Sequence, residues 1–191
     1  MKITLLRHTE VDVSYHKCYN GHIDIGLSSK GTKQAHLLAE EFKEKEYDLI
    51  FCSDLRRTRD TLSPFTQKAQ AFYTEKLREK SWGKHEGMTF DAIIAQNEIE
   101  YETFLQWIRA LDGEDYEAYI QRIEAFFLEF LPTQKAQDIL VVTHAGVIRV
   151  LISLVKAISL EEAFSFDVSY GAYIILDTNT MSFSEVKYKL G

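Results

Sequence analysis

The stretch Ile139-Leu140-Val141-Val142-Thr143-His144-Ala145-Gly146-Val147-Ile148-Arg149 decides the fold. Its first five residues form a short apolar run rich in β-branched side chains, which reads as a buried strand. The small pair Ala145-Gly146 then opens a helix, so His144 stands at the strand's carboxyl end. The same texture recurs at Ile3 to Leu6 ahead of Arg7-His8, and at Leu49 to Cys52 ahead of Ser53, with Tyr173 to Leu176 as a later, separate strand. Between the first two runs lie Ala35, Leu38, Ala39 and Phe42, spaced as one face of a helix, so the chain opens with a βαβ unit. Such alternation predicts an α/β fold whose mostly parallel sheet is covered on both faces. Ligands of these sheets bind just beyond the strands' carboxyl ends.

Composition agrees. A chain of 191 residues, 46% apolar and 27% charged with two prolines, is built to fold as one large core rather than to stay disordered. The net charge of −7 leaves no broad basic footprint for a nucleic-acid backbone, so none is expected as a partner. Cys18 and Cys52 are too few for a disulfide framework and read as cytoplasmic thiols. The opening apolar run meets Arg7-His8 too early for a signal peptide, and no run approaches the roughly 18 apolar residues of a membrane span. A soluble, cytoplasmic protein is expected, with no membrane partner; the sequence leaves the oligomeric state open.

The middle of the chain differs in texture. Apolar positions from Tyr116 through Tyr119, Ile120, Ile123, Phe126, Phe127, Phe130 and Leu131 predict a long amphipathic helix that Pro132 stops. Asp112-Gly113 breaks it from an earlier helical segment with Phe104, Trp107, Ile108 and Leu111. A helical hairpin inserted before the strand at Ile139 is expected, a cap spanning about 88–131. Glu98 to Leu131 holds nine acidic and two basic residues, or −7, the charge of the whole chain.

Arg7 and His8 follow the first strand. Ser53 is positioned to cap a helix that begins Asp54-Leu55-Arg56-Arg57 and turns its positive end toward the same edge. Only one of two adjacent helical arginines can point into a site, and Arg56 reads as the solvated one. His144 ends another strand, and Ala145-Gly146 let an anion approach backbone N–H groups. Arg149, further along that helix, reads as a structural ion-pair residue. A charged loop with two glycines, Leu77 to Gly87, brings Glu79 and Glu86 toward the mouth of the site. Two histidines, arginines from separate strands and a carboxylate describe a phosphate pocket: guanidinium forks bind phosphoryl oxygens, and a neutral imidazole is a nucleophile near pH 7. With no His-Glu-x-x-His, no regular acidic trio and no Walker loop, neither metal nor cofactor is expected.

These residues resemble the histidine phosphatase superfamily, the phosphoglycerate mutase-like group, over nearly the whole chain and in order. The matching motifs are Arg7-His8, Ser53-Asp54-Leu55-Arg56-Arg57-Thr58-Arg59-Asp60-Thr61, Glu79 with Trp82-Gly83 and Glu86-Gly87, and Thr143-His144-Ala145-Gly146. The resemblance implies a three-layer α/β/α sandwich with a helical cap. It makes His8 the nucleophile, Arg7, Arg57 and His144 the phosphate clamp, and Glu79 the general acid of a metal-independent phosphomonoesterase. Its register selects Arg57 over Arg56. Thr9 stands where the family usually has glycine, and Ser14 where an asparagine commonly contacts phosphate; Asn20 and Gly21 are expected to compensate, with Ala145 at the phosphate too.

Within the superfamily, Arg7 to Val13 and Cys18 to Asp24 look like the α-ribazole phosphatase branch of cobalamin synthesis, which implies α-ribazole 5′-phosphate as substrate. Alternatives are a broad sugar-phosphate phosphatase, a mutase-type phosphotransferase, and a non-catalytic phosphate-binding module. The acidic cap suggests a lid that repels polyanions and favours a small-molecule monoester over bisphosphates. Tyr101, Phe104 and Trp107 read first as core residues of the cap, with stacking on a flat base as the alternative.

Overall fold

The computed structural model describes residues 1–96 and 98–184. Its strands are β1 (Lys2–Arg7), β2 (Leu49–Ser53), β3 (Ala71–Thr74), β4 (Asp138–Thr143), β5 (Tyr173–Asp177) and β6 (Ser182–Phe183). Its α-helices are α1 (Ser29–Phe42), α2 (Arg56–Leu62), α3 (Phe90–Ile94), α4 (Phe104–Ala110), α5 (Tyr116–Glu124), α6 (Ala145–Lys156) and α7 (Leu160–Ala163). The strands form one sheet in the order β3-β2-β4-β1-β5-β6. The first four in that order run parallel, and β5 and β6 are antiparallel to their neighbours. The carboxyl ends of β1, β2 and β4 therefore meet along one edge.

Period-two alternation splits the apolar runs between two cores. Ile3, Leu5, Phe51, Ile139 and Val141 pack with Ile123 of α5 and with Val147, Ile148 and Leu151 of α6. Leu6, Ile50, Cys52, Leu140 and Val142 face the other way, onto Leu38 and Phe42 of α1 and Leu62 of α2. The result is the three-layer α/β/α sandwich with a mostly parallel sheet. A third, smaller core of Ile93, Trp107, Ile108, Leu111 and Tyr116 ties α3, α4 and the start of α5 together beside the sandwich.

The expected hairpin is divided between these cores. Thr103 and Gln106 close a capping box at the head of α4, and Asp115 caps α5 by accepting from the Ala118 N–H. From there α5 carries Tyr119 and Ile123 into the sheet's core, so the second half of the segment is a layer of the sandwich and not a free lid. The α-helix ends at Glu124 and continues as a wider π-helical stretch, Ala125–Phe130, before a single tight turn over Pro132.

Two strands escape the sequence reading. In the edge strand β3, Phe72 and Tyr73 are 57% and 48% exposed, so it shows no buried face to betray it, and β6 is two residues long. Ser53 does not cap α2: the helix begins at Arg56, whose N–H donates to Asp24 Oδ1 at 2.6 Å, so a carboxylate of the chain already occupies that helix end. No described helix is long and apolar enough to cross a membrane.

Candidate active site

Sheet register assembles the site. Arg7 is paired with Thr143 across the parallel β1 and β4 strands, so the residues that follow, His8 and His144, leave the sheet side by side. The His8 N–H donates to the Thr143 carbonyl at 3.0 Å, and the two imidazole centroids lie 5.2 Å apart. On the other side of β4, Cys52 pairs with Val142, which sets Ser53 beside the same spot. There His144 Nε2 meets the Ser53 hydroxyl at 2.9 Å, the contact that takes this serine away from helix capping.

Hydrogen bonds assign the tautomers. His8 Nδ1 lies 2.8 Å from the Thr9 carbonyl, which only accepts, so Nδ1 carries the proton and Nε2 keeps a lone pair. The ring is 5% exposed, and burial, reinforced by the Arg57 and Arg7 charges, holds its pKa well below that of an ordinary histidine. His144 is fully buried and its pKa is depressed by the same sequence of causes, burial first, then Arg57. Arg57 Nε donates to His144 Nδ1 at 3.3 Å, which leaves the Nε2 proton for Ser53.

Arg57 is buried, and among the described residues no carboxylate lies within ion-pair distance of it. Its terminal nitrogens donate to the carbonyls of Ile23 (2.9 Å), Asn20 (3.1 Å) and Gly21 (2.6 Å), so the loop after the first strand is wrapped around the guanidinium. Arg7 donates to the Val168 carbonyl at 2.5 Å and lies over the Tyr170 ring, 4.1 Å from its centroid, while its buried Nε has no partner among the described residues. Burial pulls both arginine pKa values down to about 10, which leaves both cationic at neutral pH. The pair thus supplies concentrated positive charge beside the bare His8 nitrogen.

Glu79 reaches the same spot from the loop after Leu77. The Tyr119 hydroxyl donates to its Oε1 at 2.6 Å and the Gly146 N–H to its Oε2 at 2.9 Å, while the Lys80 N–H donates to Oε1 at 3.1 Å. A Cβ at position 146 would stand 2.1 Å from Glu79 Oε1, so the glycine is what lets the carboxylate sit against the head of α6.

A cavity of about 250 Å³ opens over these groups. Of the sequence-expected residues, Arg7, His8, Arg57, Glu79, Asn20 and Ala145 line it, and His144 sits behind His8. Ser14 does not: it is exposed, and its hydroxyl donates to Asp12 at 2.6 Å. Gly21 is also off the cavity; its carbonyl holds Arg57 and its N–H donates to Glu86. Glu86 itself accepts from the N–H groups of Gly21, His22, Ile23 and Trp82, which knots two loops together and keeps it from the site. Of the suggested stacking aromatics, Phe104 lines the cavity, whereas Trp107 is buried under Tyr101 and Phe90.

The acidic lid is corrected as well. None of the nine acids between Glu98 and Leu131 lines the cavity, which carries Arg7, Arg57, Lys80 and Arg149 against the single carboxylate Glu79. Sequence reading missed Tyr119, Tyr170 and Arg149. Tyr119 was legible only as an inward position of a helix, and Arg149 makes no ion pair among the described residues but lies over the Phe164 ring, 4.4 Å from its centroid. Among the described residues, no group of three or more His, Cys, Asp or Glu is arranged to hold a metal ion.

Comparison with known proteins agrees with this geometry. The family model described as histidine phosphatase superfamily (branch 1) matches residues 3–190. An adenosylcobalamin/alpha-ribazole phosphatase of Escherichia coli is 28% identical, covering 94% of this chain and 91% of that protein. Phosphoserine phosphatase 1 of Hydrogenobacter thermophilus is 26% identical, covering 92% and 86%. The crystal structure of the alpha-ribazole phosphatase from Shigella flexneri superposes with a TM-score of 0.81 at 26% identity, covering 97% of this chain and 94% of that one. The chain belongs to the histidine phosphatase superfamily (branch 1), as an enzyme with phosphatase activity.

Proposed function

We propose that the protein hydrolyses small phosphate monoesters, without a metal, through a phosphohistidine on His8. The observation that carries this reading is the His8 ring itself: Nδ1 is tied to the Thr9 carbonyl, Nε2 is bare, and Arg7 and Arg57 stand beside it. In the first step Nε2 forms a bond to phosphorus and the ester P–O bond breaks; Glu79, which enters the cycle protonated, gives its proton to the leaving oxygen and remains as the carboxylate. Arg7 and Arg57 hold the equatorial oxygens while charge shifts among them. In the second step water attacks phosphorus, Glu79 takes a proton from that water, and the P–N bond breaks to regenerate neutral His8. Neither step draws on Ser14.

For the leaving alcohol, α-ribazole fits the names of the relatives in E. coli and S. flexneri, and a flat base would lie against Phe104 and Phe164. A second reading, an alcohol that carries an acidic group, is favoured by Arg149, a cationic residue of the cavity wall.

The test is a panel of phosphate esters, α-ribazole 5′-phosphate included, assayed with a chelator present, combined with alkaline quench and intact-mass measurement. Wild type is expected to turn over in chelator and to show one added phosphoryl group that acid removes; His8→Ala shows neither. Turnover that vanishes in chelator, or that survives His8→Ala, overturns the mechanism.

A further inference from the structure

Positions 145, 146, 149 and 150 of α6 lie on one helical face and all line the cavity. The first two are small and stand at the phosphate end; Arg149 follows Gly146 by three residues, about 4.5 Å along the axis, which carries it toward the side where the leaving alcohol must lie. The Arg149 guanidinium lies over Phe164, and Phe164 is backed by Phe104 at 4.8 Å in an edge-on contact, so the stack holds the charge in one place. Its buried Nε has no partner, and among the described residues Arg149 makes no hydrogen bond and no ion pair. Glu79 is the acid of the cavity, and its oxygens are already engaged by Tyr119, Gly146 and Lys80. The cavity's other cation outside the phosphate clamp, Lys80, differs in that its ammonium donates to the Ser81 carbonyl at 3.2 Å; acids face both cations, Glu114, Asp115 and Asp112 for Lys80 and Glu79 and Asp167 for Arg149, but among the described residues Arg149 has none within ion-pair distance.

A planar cation fixed on an aromatic platform, with unused donors in a cavity whose wall also includes Ile108, Tyr116, Val150 and Leu160, is built to receive an anion. The phosphoryl group being transferred is accounted for by Arg7 and Arg57. We propose that Arg149 is a specificity-determining residue that binds a second anionic group, a carboxylate or a second phosphate, on the leaving alcohol. This rests on the phosphatase reading above and selects, between its two substrate classes, the acid-bearing ester.

Matched pairs test it in the full-length enzyme: 3-phosphoglycerate against glycerol 3-phosphate for a carboxylate, and glucose 1,6-bisphosphate against glucose 6-phosphate for a second phosphate. Wild type is expected to favour the acidic member of at least one pair, and which pair responds identifies the group. Arg149→Met, which keeps an apolar stem over Phe164, is expected to raise KM for that member by about 10- to 100-fold, the loss of a charge-assisted contact, and to leave the neutral member within about threefold. Arg149→Lys keeps the charge without the fork and is expected to recover part of the loss, which also separates binding from folding. Equal losses on both members of each pair, a wild-type preference for the neutral member of both pairs, or a preference for α-ribazole 5′-phosphate over every acid-bearing ester, overturn the proposal while the phosphatase reading stands. Absence of all turnover in wild type overturns both.

Discussion

Removing one hydroxyl from the cavity wall isolates what Tyr119 does. Its oxygen donates to Glu79 Oε1 from a fully enclosed ring, and burial, then the Glu79 charge, pushes its own pKa well above 10, so it remains a donor across the working range. Tyr119→Phe is expected to lower kcat by about tenfold or more for alkyl phosphates, the scale of a lost hydrogen bond to a charged group. For p-nitrophenyl phosphate, whose leaving group needs no proton, the loss is expected to be small. Equal losses on both esters would reduce Tyr119 to a packing residue. At the neighbouring nucleophile, the depressed His8 pKa predicts a neutral ring well into acid, and an NMR titration of the free enzyme is expected to show no His8 protonation above pH 6.5. A midpoint at or above 6.5 would contradict the described burial.

Among the elements, α6 is the one where local propensity and the site pull in opposite directions. Gly146→Ala gains up to about 1 kcal/mol of helix propensity. The new Cβ would nevertheless drive Glu79 Oε1 from a position 2.1 Å away. The new Cβ would also stand 2.8 Å from the Tyr119 hydroxyl, so the variant is expected to melt lower than the propensity gain alone would give and to lose at least about tenfold in kcat, measured by thermal denaturation beside steady-state kinetics. A variant of full activity would show that the carboxylate need not rest there. The same tension marks what the sequence could express. β1, β2 and β4 were legible because both faces of each are buried and the apolar run is continuous; β3 was not, because Phe72 and Tyr73 lie open at an edge. Arg7, His8, Arg57 and His144 were legible from their places after strands or in the helix that follows one. Tyr119 and Arg149 were not, because helical periodicity says which face turns inward and nothing of what meets it there. Ser53 was misread for a related reason, since its hydroxyl serves His144 across a strand pair rather than the helix beside it in sequence.

Over the whole molecule, buried imidazoles couple folding to pH: buried His85 and half-buried His22 are shifted down along with the pair at the site, His8 and His144. Each has a pKa below the ordinary 6.5 in the fold, so beneath that value the unfolded chain binds protons that the folded one refuses. Stability is therefore full above about pH 6.5 and falls as the pH drops toward the folded pKa values, by up to about 1.4 kcal/mol per pH unit for each histidine. Urea unfolding at several pH values between 5 and 8 is expected to show that slope, and His8→Gln to make it shallower by up to one proton; an unchanged slope in the variant would contradict the assignment. The two ends of the cavity also differ in what they are made of. Arg57 is gripped by main-chain carbonyls and Glu79 in part by main-chain amides, whereas the far wall is composed of side chains contributed by α4, α5, α6, α7 and the residue just past it. Amino-acid replacement can therefore rewrite the far wall without touching the backbone that fixes the reacting groups. That separation offers a material basis for relatives that share 28% and 26% of their residues with this chain to bear the names of different esters.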